Sequence, residues 1–142
     1  MTYTGRCNCG AITVVIEAGP VTTRQCWCRQ CQKIAAGGAT HNAVFPTEAV
    51  IITGERAETS YTAASGSTLT HEFCAACGTQ VLGRSSARPQ FRTIRMGLLD
   101  EGHGLRPQAA IWLDEAPDYA RIDPDIEHWR QQPPPPGQPS KA

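Results

Sequence analysis

Two stretches, Cys7-Asn8-Cys9-Gly10 and Cys74-Ala75-Ala76-Cys77-Gly78, decide how this chain folds. Each places two cysteines on a turn and closes with glycine, which adopts without penalty the positive φ that folds a backbone back over a metal ion. Each adjoins a stretch that reads as β-strand. Two such turns brought together by a sheet supply the four thiolates of a closed, tetrahedral Zn²⁺ site. The pairs stand far apart in the chain, so one ion would cross-link most of it, with a stabilisation on the order of 10 kcal/mol.

Between them lies Cys26-Trp27-Cys28-Arg29-Gln30-Cys31, with three cysteines. Three protein ligands and an open position are the pattern of a reactive zinc. Zn²⁺ with three thiolates keeps one negative charge, which makes it a poor Lewis acid for water and a good place to exchange a soft ligand such as another thiolate. The site therefore suggests a thiol substrate. Two alternatives stand beside this reading. His41, His71 or His103 could close the site as a fourth ligand, or the three cysteines could be metal-free, with a redox or buried-thiol role.

Hydrophobic periodicity around the cysteines is that of strands. In residues 11–17, Ile12, Val14 and Ile16 share one face, with Thr13 and Glu17 on the other. Residues 43–46 and 50–53 read as short strands, 58–62 and 68–73 as a hairpin around Ala64-Ser65-Gly66-Ser67, and 80–82 as a return strand. Residues 91–96 and 109–113 supply two more, placing Trp112 in a strand and in the core. Helix is expected only near 28–36 and 123–129, with Trp129 covering the sheet. Eleven prolines and thirteen glycines punctuate the chain. The expectation is a mainly β domain over 1–130, built of short antiparallel strands, and a disordered, Pro-rich tail over 131–142.

The totals are those of one soluble domain: 142 residues, 40% hydrophobic and 18% charged, with a formal charge of zero. No Lys/Arg block gives a nucleic-acid footprint or a basic membrane-binding face. No apolar run approaches membrane-spanning length. The first residues lack the basic and apolar regions of a secretory signal, so a cytoplasmic, reducing setting is expected, where clustered cysteines bind metal more often than they form disulfides. The odd count of seven cysteines also argues against a disulfide framework. The sequence carries no signal for an oligomeric state.

The order C-x-C-G, C-x-C-x-x-C, C-x-x-C-G resembles the glutathione-dependent formaldehyde-activating enzyme family, also called the GFA or CENP-V/GFA domain. The likeness includes Gly5-Arg6-Cys7-Asn8-Cys9-Gly10, Phe73-Cys74-Ala75-Ala76-Cys77-Gly78 and Gly97-Leu98-Leu99-Asp100. A looser part continues through Ala110-Ile111-Trp112 and Ala116-Pro117-Asp118-Tyr119, so that it spans about residues 3–120. It implies an Mss4-like, β-tent zinc-binding fold. It implies a structural zinc on Cys7, Cys9, Cys74 and Cys77, and a catalytic zinc on Cys26, Cys28 and Cys31, two Zn²⁺ per chain. The implied reaction is that of a carbon–sulfur lyase: a thiol, possibly glutathione, and an aldehyde such as formaldehyde form or release an S-hydroxyalkyl adduct. Founding members usually carry His between the first two cysteines of the middle cluster, where this chain has Trp27. That residue is not a ligand in the family pattern, so the departure concerns what packs beside the substrate.

Arg24, Arg29 and Lys33 flank the middle cluster and are candidates to offset its charge and receive substrate carboxylates, against the alternative of solvated surface charge. His41 and Asp100 are candidate proton carriers, Asp100 equally a turn residue before Gly102. The functional alternatives to an enzyme are a non-catalytic zinc module that binds or carries a thiol, and a structural interaction domain.

Overall fold

The computed structural model describes residues 1–135. Eleven short strands and one helix follow in the order β1 (Tyr3–Arg6), β2 (Thr13–Ile16), β3 (Thr22–Cys26), α1 (Arg29–Ile34), β4 (Thr40–Pro46), β5 (Val50–Thr53), β6 (Ala57–Thr62), β7 (Thr68–Phe73), β8 (Gln80–Ser85), β9 (Phe91–Arg95), β10 (Ala109–Ile111) and β11 (Glu127–His128). The fold is mainly β and mostly antiparallel, as expected. The strands form two sheets, one ordered β1-β2-β5 and one ordered β11-β10-β3-β4-β9-β8-β7-β6. No helix is long and apolar enough to cross a membrane.

The alternation read in residues 11–17 is what buries β2. Ile12, Val14 and Ile16 are at most 1% exposed and meet Phe45, Val81, Leu82 and Ile94 of the large sheet in the main core. Cys7 and Cys74 belong to the same core. A smaller core gathers Cys26, Cys31, Ala109 and Ile111, with Trp112 and Trp129 packed against it.

The hairpin expected at 58–73 is present, with Ala57 opposite Phe73 and Thr62 opposite Thr68. Two strands escape the periodicity. β1 holds a glycine and an arginine, and β3 is Thr-Thr-Arg-Gln-Cys, polar on both faces; each is a strand because its neighbours complete its ladder. The helix expected near 123–129 is absent. Asp125 N–H donates to Asp123 Oδ1 at 2.8 Å, and this side-chain-closed turn delivers Glu127 and His128 to pair in parallel with Ala109 and Ala110. Trp112 is not in a strand or fully buried either. It follows β10 in the left-handed conformation (φ 59°), half-buried, with its Nε1–H donating to Gln132 Oε1 at 3.1 Å. Of the expected tail, residues 131–135 run beside this turn, where Gln131 O accepts from Trp112 N–H, and 136–142 lie outside the described residues.

Candidate metal centres

The β1–β2 and β7–β8 turns belong to different sheets and meet at one point. The sulfurs of Cys7, Cys9, Cys74 and Cys77 all lie within 4.8 Å of one another. The two turns are built alike. Cys7 N–H donates to Ile12 O and Cys74 N–H to Thr79 O, each bond 2.9 Å and each spanning five residues. Gly10 N–H returns to Cys7 O and Gly78 N–H to Cys74 O, with φ of 83° and 78° at the two glycines. The turns also touch, Asn8 N–H donating to Thr79 Oγ1 at 3.0 Å.

The sulfur spacing fits a tetrahedral ion. Metal–sulfur bonds of about 2.3 Å give tetrahedron edges of about 3.8 Å, and Cys7–Cys9 and Cys9–Cys74 stand at 3.6 and 3.7 Å. Ile12 N–H points at Cys7 Sγ from 3.2 Å, and the Thr79 hydroxyl lies 3.2 Å from Cys77 Sγ. Such donors favour thiolate over thiol. The Thr79 hydroxyl, with the Thr79 and Cys9 backbone, brings the Cys77 thiol down to about 5.

The second group is held by β3 and α1. Cys26 ends β3, Cys28 caps α1, and Cys31 sits in its first turn, its N–H directed at Cys28 Sγ from 3.4 Å. Their sulfurs too lie within 4.8 Å of one another. Cys26 and Cys31 are buried and Cys28 is half-exposed. The hydrogen bonds of Cys26 and Cys28 draw Cys31 down to about 3, aided by Thr40 and Arg95, while Cys28 and Cys31 drive Cys26 far up. The three sulfurs thus compete for protons, Cys31 favoured as thiolate and Cys26 as thiol. A divalent cation would displace those protons and equalise the three. Both groups can therefore hold a metal ion.

Among the described residues no histidine joins either group. His41 contacts Gln25, the Nδ1 of His103 accepts from Leu105 N–H, and the Nδ1 of His71 meets Arg95. Asp100 is an exposed side chain engaged by the Thr4 hydroxyl at 2.6 Å, on β1 and off the strand bearing the three-cysteine group. Arg29 and Lys33 are exposed on α1, Arg29 donating to Gln32. Arg24 is 9% exposed, opposite Asn42 in the ladder. Trp27 is 6% exposed, bonded to Gln25 through its indole N–H and, through its backbone N–H, to Ile111. A groove of about 290 Å³ lined by Val50, Ile52, Arg56, Glu72 and Arg92, among others, shares no residue with either cysteine group.

Sequence reasoning missed Arg95. It is 7% exposed, and among the described residues no carboxylate pairs with it. Its partners are Asn42 Oδ1 at 2.6 Å and His71 Nδ1 at 2.8 Å. A buried guanidinium without a carboxylate needs another source of negative charge. Burial works against its charge, and the negative charge of the Cys31, Cys26 and Cys28 group works to hold it.

A family model described as glutathione-dependent formaldehyde-activating enzyme matches residues 2–115. The chain belongs to this family. Among solved structures, this GFA-family chain is similar to the crystal structure of a Rhodobacter sphaeroides protein. That likeness covers 89% of this chain and 98% of the other at 21% identity, with a TM-score of 0.55, and concerns the fold. A search of curated proteins finds no match. All seven cysteines of the GFA signature fall into the two groups described, four and three.

Proposed function

We propose that the protein is a zinc-dependent enzyme of the carbon–sulfur lyase type that joins a thiol such as glutathione to an aldehyde such as formaldehyde, or releases it from the S-hydroxyalkyl adduct. The observation that carries the reading is the group of three cysteines, which no histidine, carboxylate or fourth cysteine joins among the described residues and whose Cys28 is half-exposed. In this reading Cys7, Cys9, Cys74 and Cys77 hold a structural zinc in an Mss4-like fold, and Cys26, Cys28 and Cys31 hold the reactive one. A zinc ion there would supply an open coordination position and favour the thiolate form of a substrate thiol. The chain's own part is to fix that position. α1 and the end of β3 hold the three sulfurs, and the Trp112 and Trp129 side chains pack against them with Ala109 and Ile111. Arg95 offsets the remaining negative charge from within the sheet. Unbridged cysteines suit a reducing compartment such as the cytoplasm.

Zinc per chain, measured under reducing conditions in the wild type and in Cys28→Ser, tests the metal sites. Two falling to one, with the fold retained, is expected. The rate at which the zinc-loaded protein exchanges formaldehyde between glutathione and solution tests the reaction. Acceleration by the wild type and none by Cys28→Ser is expected. Stoichiometric capture of thiol without acceleration would make the protein a thiol carrier instead.

A further inference from the structure

Residues paired directly across a sheet share a face, as do residues two apart in a strand. In the large sheet Glu72 pairs with Leu82 and Leu82 with Ile94, while Arg92, two before Ile94, pairs with Phe45. Leu82, Ile94 and Phe45 belong to the main core, so Glu72 and Arg92 are set on the core-facing side. Cys26 is set on the other side. It pairs with Thr40, two before Asn42, and Asn42 alternates with the core residue Ala43.

The small sheet ends at β5, which pairs with β2 along one edge and with no named strand along the other. The groove of about 290 Å³ opens where β5 meets the core-facing side of β7, β8 and β9. Val50, Ile52 and Leu82 give it an apolar side, and Thr47, Arg92 and the Arg56–Glu72 pair a polar one. Glu72 is already committed, with Oε1 accepting from Arg56 Nε at 2.8 Å and Oε2 from Arg84 Nε at 2.9 Å. Arg92 is not. Its Nη1 donates to Thr47 Oγ1 at 3.3 Å, Pro89 O at 3.2 Å and Phe91 O at 3.0 Å, which fixes the guanidinium. Among the described residues no carboxylate pairs with it. Its Nε and Nη2 have no protein acceptor there, and neither is among the buried unpaired atoms, so both are open to a ligand.

We propose that this groove binds a small organic monocarboxylate with an aliphatic body. The Nε and Nη2 edge of Arg92 takes the two carboxylate oxygens side by side, the geometry in which a guanidinium holds a carboxylate best. The aliphatic part lies against Val50, Ile52 and Leu82, removing apolar surface from water. Charge favours a monoanion, because the lining carries two arginines and one carboxylate. Size favours a short acid. At about 30 Å³ for each water-sized unit the groove holds roughly ten non-hydrogen atoms, too few for a nucleotide or a folded partner. The site is separate from the thiol chemistry, since it shares no residue with the cysteine groups and faces the side of the sheet away from Cys26.

The probe is 4-methylpentanoate, titrated into the full, zinc-loaded chain while the methyl signals of valine, leucine and isoleucine and the Nε–H signals of arginine are followed by NMR. 4-Methylpentanamide, of the same shape without the charge, and inorganic phosphate, the charge without the aliphatic body, serve as comparisons. The acid is expected to shift Val50, Ile52, Leu82 and Arg92 saturably, and to bind about tenfold more tightly than the amide. Arg92→Gln should remove that advantage and leave the amide's affinity and the zinc content unchanged. The comparison of acid with amide is made on the wild type, so it decides the matter even where the variant fails to fold. No saturable shift, equal affinity for acid and amide, or phosphate matching the acid at Arg92 would overturn the assignment. None of these readouts depends on catalysis, so the groove and the function proposed above stand or fall separately.

Discussion

Arg95 and Glu72 are the two buried charged side chains whose partners explain most. In the proposed function, three thiolates and a zinc ion would leave one negative charge, and the Arg95 cation, 7% exposed, is placed to offset it. Arg95→Met should therefore make the three-cysteine group lose zinc to a chelator at roughly tenfold lower chelator concentration, with the four-cysteine group unaffected. Chelator competition followed by zinc analysis reads the difference. Glu72 sits between Arg56 at 2.8 Å and Arg84 at 2.9 Å. Burial alone would raise its pKa, but the two guanidinium hydrogen bonds win and hold it below the ordinary carboxylate range. A lowered folded-state pKa gives stability that is present above the unfolded value of about 4.3 and lost as pH falls through the folded one. Glu72→Gln should cost about 1 kcal/mol at neutral pH, after screening at the half-exposed arginines. The gap to the wild type in urea melts should close as pH falls below about 4. The cysteines were legible in the sequence because ligand spacing is a local property. Arg95 was not, because nothing within a few residues of it marks a buried cation whose partners come from β4 and β7.

At the scale of elements, the turns are more informative than the strands. Gly10 and Gly78 take positive φ, with nothing within 4 Å of where a Cβ would stand. Substitution there costs backbone strain alone, about 1 kcal/mol. Gly5 is different. A Cβ there would collide with the backbone carbonyl of Leu98, where β1 bridges to Leu99. Backbone yields less readily than a side chain, so Gly5→Ala should cost on the order of 3 kcal/mol and Gly10→Ala about a third of that, as thermal melts of the two variants would show. β2 and β5 follow from apolar residues recurring every second position. β1 and β3 do not, because cross-strand hydrogen bonds, blind to side-chain polarity, hold them in their ladders. The helix expected at 123–129 gave way to a turn closed by the Asp123 carboxylate and to the open edge of β10.

For the molecule as a whole, the four-cysteine group is a clasp between sheets. Cys7 and Cys9 come from the three-stranded sheet and Cys74 and Cys77 from the eight-stranded one, at the border of the main core. Cys74→Ser should lower the melting temperature far more than Cys28→Ser and expose β1 and β2 first to amide exchange, since losing the structural zinc proposed above would forfeit a stabilisation on the order of 10 kcal/mol. Equal melting temperatures for the two variants would contradict the clasp. From the sequence alone came the partition of seven cysteines into four and three, the mainly β class and the family likeness. All rest on spacing and periodicity, which a chain carries before it folds. Tertiary structure alone decided the parallel pairing of β10 with β3, the origin of the two cysteine turns in different sheets, and the register that sets Cys26 opposite Thr40 and Asn42 opposite Arg95. Those depend on register between strands far apart in sequence, and register is settled by which faces must be buried together, a property of the assembled sheets.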